Sequence, residues 1–127
     1  MLGNVPAIVY LCRTMEAMTK NKGAVIEVNG RVCPLKEGVN VIGRNDHSPI
    51  VTGKIKIDGD RTIARYHCKI ILKTLPDGIQ KAVLTPNPQT RGRICVDGNS
   101  VTGGDVVYLF DGSQIILGNT VATFKFL

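Results

Sequence analysis

Short apolar stretches, separated by turn-forming residues, run along most of the chain. Val, Ile and Leu dominate the stretches, while Gly, Asn, Asp and Pro stand between them at intervals of about 8–12 residues. This spacing is typical of an all-β sandwich or barrel. We predict short strands over 24–28, 39–42, 54–57, 68–72, 80–84, 93–96, 106–110, 114–117 and 121–127.

Two turns in this pattern predict hairpins. Asn29-Gly30 follows the first strand, and Pro76-Asp77-Gly78 separates two strands of similar length. A short helix is predicted only over 13–20, where Met15 and Met18 share a face. Strands do not alternate with long helices, which argues against a Rossmann or TIM-barrel enzyme.

Length and composition agree with one globular domain. The chain has 127 residues, of which 43% are hydrophobic and 20% charged. It has only two His and ten acidic residues, so little material is present for acid–base catalysis. We expect no enzymatic activity, no catalytic residue, no metal and no cofactor.

The net charge of +6 is concentrated in one part of the chain. Residues 44–93 contain ten basic and four acidic residues, whereas the rest of the chain is neutral overall. One interpretation is that these are solvated strand faces and loops. The other is that the loops converge on an anion, which would be a phosphoprotein, a nucleic acid or a membrane surface.

The cysteines and the first residues bear on the compartment. Cys12, Cys33, Cys68 and Cys95 lack zinc-site spacing, so we predict buried thiols in a reducing environment. The leader, residues 1–23, has no basic start, and its longest apolar run (7–12) is too short to span a membrane. We expect the leader to pack on the domain or at a dimer interface, with the domain itself over 24–127.

Three blocks in the basic segment carry a family resemblance. Gly43-Arg44, Arg65-x-His67 and Thr90-x-Gly92 occur in that order, and Gly104-Asp105 follows. Over about residues 24–127 this set resembles a forkhead-associated (FHA) domain. The resemblance implies an eleven-stranded, mostly antiparallel β-sandwich that recognises phosphothreonine.

The same resemblance implies roles for the residues of these blocks. Arg44, Arg65 and Thr90 fall on phosphopeptide-site positions, and Gly43, His67 and Gly92 fall on structural ones. Two positions depart from the family pattern: Ala64 replaces a serine, and Arg91 replaces an asparagine. Arg91 either blocks the site or supplies a replacement for the lost contacts.

Three further stretches, the loop before Arg65-x-His67, residues 93–98 after Gly92, and residues 109–117, are similar to the N-terminal FHA domain of the mediator of DNA damage checkpoint family, most closely its mutator 2-like members. This resemblance implies a nuclear, chromatin- and telomere-associated scaffold of the DNA damage response that forms homodimers. We therefore expect a non-enzymatic interaction domain acting mainly through homodimerisation, with phosphothreonine binding weakened or lost.

The alternative is a working phosphothreonine reader that uses Arg44, Arg65 and Arg91. Direct nucleic-acid binding is disfavoured, because the chain has only six aromatic residues for base stacking and no predicted helix for reading base edges. No membrane partner is expected.

Overall fold

The computed structural model describes residues 23–44, 53–90 and 92–127. These residues form eleven strands in two sheets that pack as a β-sandwich. The strands are β1 (Ala24–Val28), β2 (Arg31–Pro34), β3 (Gly38–Gly43), β4 (Gly53–Lys56), β5 (Cys68–Thr74), β6 (Gln80–Pro86), β7 (Ile94–Val96), β8 (Asn99–Ser100), β9 (Val107–Leu109), β10 (Gln114–Leu117) and β11 (Thr120–Phe126).

The two sheets contain six and five strands. The strand order is β2-β1-β11-β10-β7-β8 in the six-stranded sheet and β4-β3-β5-β6-β9 in the five-stranded sheet. Neighbouring strands are antiparallel except β3 and β4, which run parallel. Asn29 and Gly30 both have positive φ in the β1–β2 turn, as a tight two-residue hairpin requires.

Alternating side chains from both sheets form the core. In β5 the buried residues are Cys68, Ile70 and Leu72, and in β10 they are Ile115 and Leu117. Burying each large aliphatic side chain contributes about 1.5–3 kcal/mol relative to leaving it exposed. The period-two burial explains why alternation in the sequence locates these strands.

The prediction of an all-β sandwich is confirmed, and every predicted strand overlaps an observed one. The pattern missed β2, which is largely exposed and ends at a proline, and β8, which has only two residues. The predicted helix over 13–20 and residues 1–22 of the leader lie outside the described residues. The domain boundary at residue 24 stays a prediction.

Two further findings concern the cysteines and the question of a membrane-spanning helix. Cys33, Cys68 and Cys95 are free. The prediction of buried thiols holds for Cys68 but is wrong for Cys33 and Cys95, which are partly exposed, because β2 is largely exposed and Cys95 alternates with the buried residues of β7. Within residues 23–44, 53–90 and 92–127, no helix is long and apolar enough to cross a bilayer.

The strand directions bring the end of β3, the β4–β5 loop, the β6–β7 loop and the β10–β11 turn to one end of the sandwich. Ile42 lies opposite Cys68, so the end of β3 meets the start of β5. Cys68 also lies opposite Pro86, which ends β6. In the other sheet Leu117 lies opposite Ile94, so the β10–β11 turn meets the start of β7. This end carries the predicted site.

Candidate functional site

Arg44 is anchored against the β4–β5 loop (residues 57–67) where β3 ends. Its backbone N–H donates to the carbonyl oxygen of Ala64, and its Nε donates to the carbonyl oxygen of Ile63, both at 3.0 Å. A Cβ on the preceding residue, Gly43, would overlap the backbone of Arg65, so glycine is needed for this close approach. The loop thus holds the Arg44 backbone and, through Nε, its guanidinium group, while the residue stays exposed.

His67 organises the same loop from inside. Its Nδ1 is 2.9 Å from the backbone nitrogen of Ala64, and its Nε2 is 3.0 Å from the carbonyl oxygen of Arg93. Because a backbone N–H can only donate, Nδ1 accepts and the ring proton is on Nε2. A neutral imidazole therefore joins the β4–β5 loop to the β6–β7 loop (residues 87–93).

The environment of His67 keeps the ring in this neutral form. Burial lowers its pKa below 6.5, while the hydrogen bond to Arg93 and the charge of Asp60 act in the opposite direction. The side chain is fully buried, so both ring nitrogens need their protein partners. This geometry agrees with the structural role that the FHA resemblance implies for His67.

Thr90 and Gly92 hold the β6–β7 loop against the same segment. The Thr90 hydroxyl lies 2.9 Å from the carbonyl oxygens of both Tyr66 and His67. Asn87 Nδ2 also donates to the Tyr66 carbonyl, at 2.9 Å. A Cβ on Gly92 would overlap the His67 ring. Glycine at 92 is therefore required by contact with the imidazole.

Asp60 makes a further link that the sequence analysis missed. One carboxylate oxygen accepts from the backbone N–H and the hydroxyl of Thr62; the other accepts from Asn119 N–H at 3.0 Å and the Thr120 hydroxyl at 2.6 Å. These bonds join the β4–β5 loop to the β10–β11 turn. The Asp-x-Thr pattern at 60–62 is a local turn signal, but its long-range partners, about 60 residues away, leave no sequence signal.

The hydrogen bonds to Asp60 also lower its pKa, from 3.8 to about 2. The bond from Thr120 contributes most, followed by that from Thr62. The carboxylate consequently stays charged at all physiological pH values and holds the β4–β5 loop, which carries Arg65, to the β10–β11 turn.

The structure brings together seven of the eight predicted site residues. Arg65 is exposed, and Ala64 beside it is half-buried. No ion pair between described residues involves Arg44 or Arg65. The residues assembled at this end are Gly43, Arg44, Ala64, Arg65, His67, Thr90 and Gly92; Arg91 lies outside the described residues.

Each of the two interpretations of the positive charge in residues 44–93 fits some of its basic residues. Arg44, Arg61, Arg65 and Arg93 are exposed in loops at the site end. The exposed lysines of the strands, Lys54, Lys56, Lys73 and Lys81, are solvated. The site end thus offers guanidinium donors for an anion such as phosphate. A hydroxyl donor is absent at residue 64. The described part of the chain has no cluster of three or more metal-ligating side chains.

Comparison with known proteins agrees with this architecture. The FHA domain family model matches residues 40–118, more than half of the chain. No curated protein matches this chain in sequence.

Solved FHA domains have similar folds. The bacterial FhaA FHA domain, solved in complex with an intracellular domain of another protein, has a TM-score of 0.62 and 22% identity, covering 80% of this chain and 99% of its own. The yeast MEK1 FHA domain, in complex with a HOP1 phosphothreonine peptide, has a TM-score of 0.68 and 19% identity, covering 82% and 96%. An FHA domain from Arabidopsis thaliana has a TM-score of 0.66 and 20% identity, covering 87% and 88%. At these identities the likeness shows the fold.

Proposed function

This chain belongs to the FHA domain family of non-catalytic interaction modules, and we propose that it is a protein-interaction domain with a weakened phosphothreonine site. The MEK1 FHA domain binds a phosphothreonine peptide. In this chain the same function would fall to the loops that hold Arg44 and Arg65.

The anchored loop is the observation that carries this proposal. His67 fixes the backbone of Ala64, and Ala64 accepts the hydrogen bond that positions Arg44. Arg65 follows directly and is exposed. A preorganised guanidinium such as that of Arg44 gives strong charge-assisted hydrogen bonds to phosphate, because little side-chain entropy is lost on binding. The frame for holding a phosphate is therefore present.

The side chain of Ala64 is the reason to expect weak binding. Where the family pattern has a serine, this methyl group offers no hydroxyl to a phosphate oxygen. Losing one hydrogen bond to a charged group costs about 1.5–3 kcal/mol, which is roughly 10- to 150-fold in affinity. Arg91 adds a second change, since a guanidinium cannot accept the hydrogen bonds that an asparagine side chain accepts.

Titration of the purified chain with a phosphothreonine peptide library, followed by fluorescence anisotropy, tests this function. We expect saturable, phosphate-dependent binding with Kd in the range of about 0.1 to 1 mM. Arg44→Ala and Arg65→Ala should each abolish it. Lys73→Ala removes the same charge at the far end of β5, about 20 Å along the strand from the site, and should leave it unchanged.

Two results would contradict the proposal. Equal binding of phosphorylated and unphosphorylated peptides would show that the chain has no phosphate site. Low-micromolar binding that survives Arg44→Ala would show that other residues form it.

Homodimerisation is a second proposed function, supported by an apolar row on the outer face of the six-stranded sheet. Val121 lies opposite Ile116, and Ile116 lies opposite Cys95. Val121 is half exposed, and the other two side chains are partly exposed. A row of this kind can pair with its own copy across a two-fold axis, because such an interface uses the same patch on both subunits.

Light scattering at tens of micromolar tests self-association. We expect a dimeric mass for the chain, a monomeric mass for Val121→Lys, and a dimeric mass for Val106→Lys, which places the same change on an exposed valine before β9. A monomeric mass for the unchanged chain at this concentration would contradict the proposal that the chain forms homodimers.

We further propose that the domain belongs to a nuclear scaffold of the DNA damage response at chromatin and telomeres. The support is the resemblance of its loops to the mediator of DNA damage checkpoint family. Imaging of the tagged protein before and after irradiation tests this placement. Recruitment to damage foci is expected, and an unchanged distribution outside the nucleus would contradict it.

A further inference from the structure

An apolar groove lies at the open edge of the sandwich, away from the arginine loops. β9 is an edge strand of the five-stranded sheet, next to β6. Tyr108 and Phe110 are more than half exposed, and Ile79 is 43% exposed. Together with Ala82 of β6 and Phe126 of β11 they line one groove. Exposed aromatic and aliphatic side chains on and beside an edge strand favour coverage by another segment.

The leader enters the fold beside this groove. The backbone N–H of Gly23 donates to Oε1 of Gln80 at 3.0 Å, and Gln80 also lines the groove. The next residue, Ala24, lies opposite Phe126 in the β1–β11 pair. The residues that precede Gly23 therefore start within contact distance of the groove.

The sequence of the leader suits an apolar site. Residues 5–18 contain only two charges, Arg13 and Glu16, and residues 7–12 are uninterrupted apolar side chains. Residues 19–22, Thr-Lys-Asn-Lys, are polar and span at most about 14 Å when extended. The apolar segment is thus tethered close to an apolar groove by a short hydrophilic connection.

The short connection favours residues 5–18 of the same chain, over those of a second copy, as the occupant of the groove. A connection of four residues keeps the segment at an effective concentration in about the millimolar range. At tens of micromolar protein, a second copy offers the same segment at a concentration about a hundredfold lower. The leader of the same chain therefore fills the groove first.

From these observations we infer that residues 5–18 dock intramolecularly into the groove formed by β6, β9 and Phe126. Docking covers the β9 edge and buries Tyr108 and Phe110. The leader is then a part of the sandwich that protects an edge strand, and it does not depend on the arginine loops.

A nitroxide on Cys12, inside the apolar run, tests this docking in the full chain. Cys33→Ser and Cys95→Ser restrict labelling to Cys12, since Cys68 is fully buried and burial raises its pKa to about 12. Paramagnetic relaxation should remove the amide signals of residues 79–82 and 108–110. Signals of Val32 and Val121, on the other sheet, should persist. Phe110→Glu should restore the lost signals, and the matched Val32→Glu should not.

A mixed sample separates the two occupants. It contains a ¹⁵N-labelled chain without nitroxide and a spin-labelled chain without ¹⁵N. Signal loss at the groove in this sample would assign the groove to the leader of a second copy and overturn the inference. Signal loss elsewhere in the labelled chain, or none, would also overturn it. Without any spin label, Leu11→Asp should shift the groove amides, and unchanged shifts would count against docking.

Discussion

The backbone N–H of Ala64 donates to Nδ1 of His67 at 2.9 Å, so the residue that lacks the site hydroxyl is the one that the buried imidazole holds in place. The backbone of residue 64 also accepts from the N–H of Arg44. The main chain at residue 64 is therefore fixed on both sides, and the departure from the family pattern at this residue is confined to one side-chain atom.

Ala64→Ser should strengthen phosphothreonine binding. The serine adds a hydroxyl to a backbone that is already positioned, so about 1.5–3 kcal/mol, or roughly 10- to 150-fold in Kd, is expected. Fluorescence anisotropy with one phosphothreonine peptide measures the change. In combination with Arg44→Ala the gain should disappear, and a gain that persists would place the added contact outside the phosphate site.

The stability of the fold should decrease as the pH falls below 6.5. Burial lowers the pKa of His67 in the folded state, so below 6.5 the unfolded chain binds a proton that the folded chain does not. The contribution is fully present above 6.5 and is lost as the pH falls toward the lower folded pKa. Urea unfolding between pH 5 and 8 measures the slope of the unfolding free energy against pH.

His67→Gln should flatten the slope, because it removes the ring that takes up the proton. If this variant does not fold, NMR titration of the His67 ring in the unchanged chain provides the same information. A ring that titrates at or above pH 6.5 would contradict the prediction.

Gly92→Ala should destabilise the fold by about 1–3 kcal/mol, because its methyl group would overlap the imidazole of His67. Gly103→Ala is the matched control: a Cβ there would meet nothing closer than 4.0 Å, and the backbone has no positive φ. Thermal unfolding compares the two variants. Equal midpoints would mean that the loop moves away from His67 at no cost.

Asp60→Asn should lower the unfolding midpoint at neutral pH and weaken the link between the β4–β5 loop and the β10–β11 turn. In the unchanged chain, the pKa of about 2 means that this stabilisation is present above pH 3.8 and is lost as the pH falls toward 2. Asp58→Asn, at an exposed residue of the same loop, is the control. If the two variants unfold at a similar acidic pH, Asp60 does not stabilise the contact between the β4–β5 loop and the β10–β11 turn.

The fold was predictable because the strands leave a periodic signal. The burial of alternate residues in β5 and β10 produces the alternation that identifies them, whereas exposed β2 has no such pattern. Gly43 and His67 were predictable through their motif, since each fits a fixed local role. The partners of Asp60 were not, because a hydrogen bond to Thr120 depends on two sheets meeting and on no local pattern.

The hydrogen bonds of the site join residues far apart in the chain: His67 and Arg93 are 26 residues apart, and Asp60 and Thr120 are 60 apart. Closing such loops costs entropy before any contact is gained, so we expect the arginine loops to become ordered only after both sheets have assembled. A nascent or partly unfolded chain would then lack the ordered loops on which the proposed phosphate site depends. Recognition by this domain is then a property of the finished fold, which prevents partners from being engaged before synthesis and folding are complete.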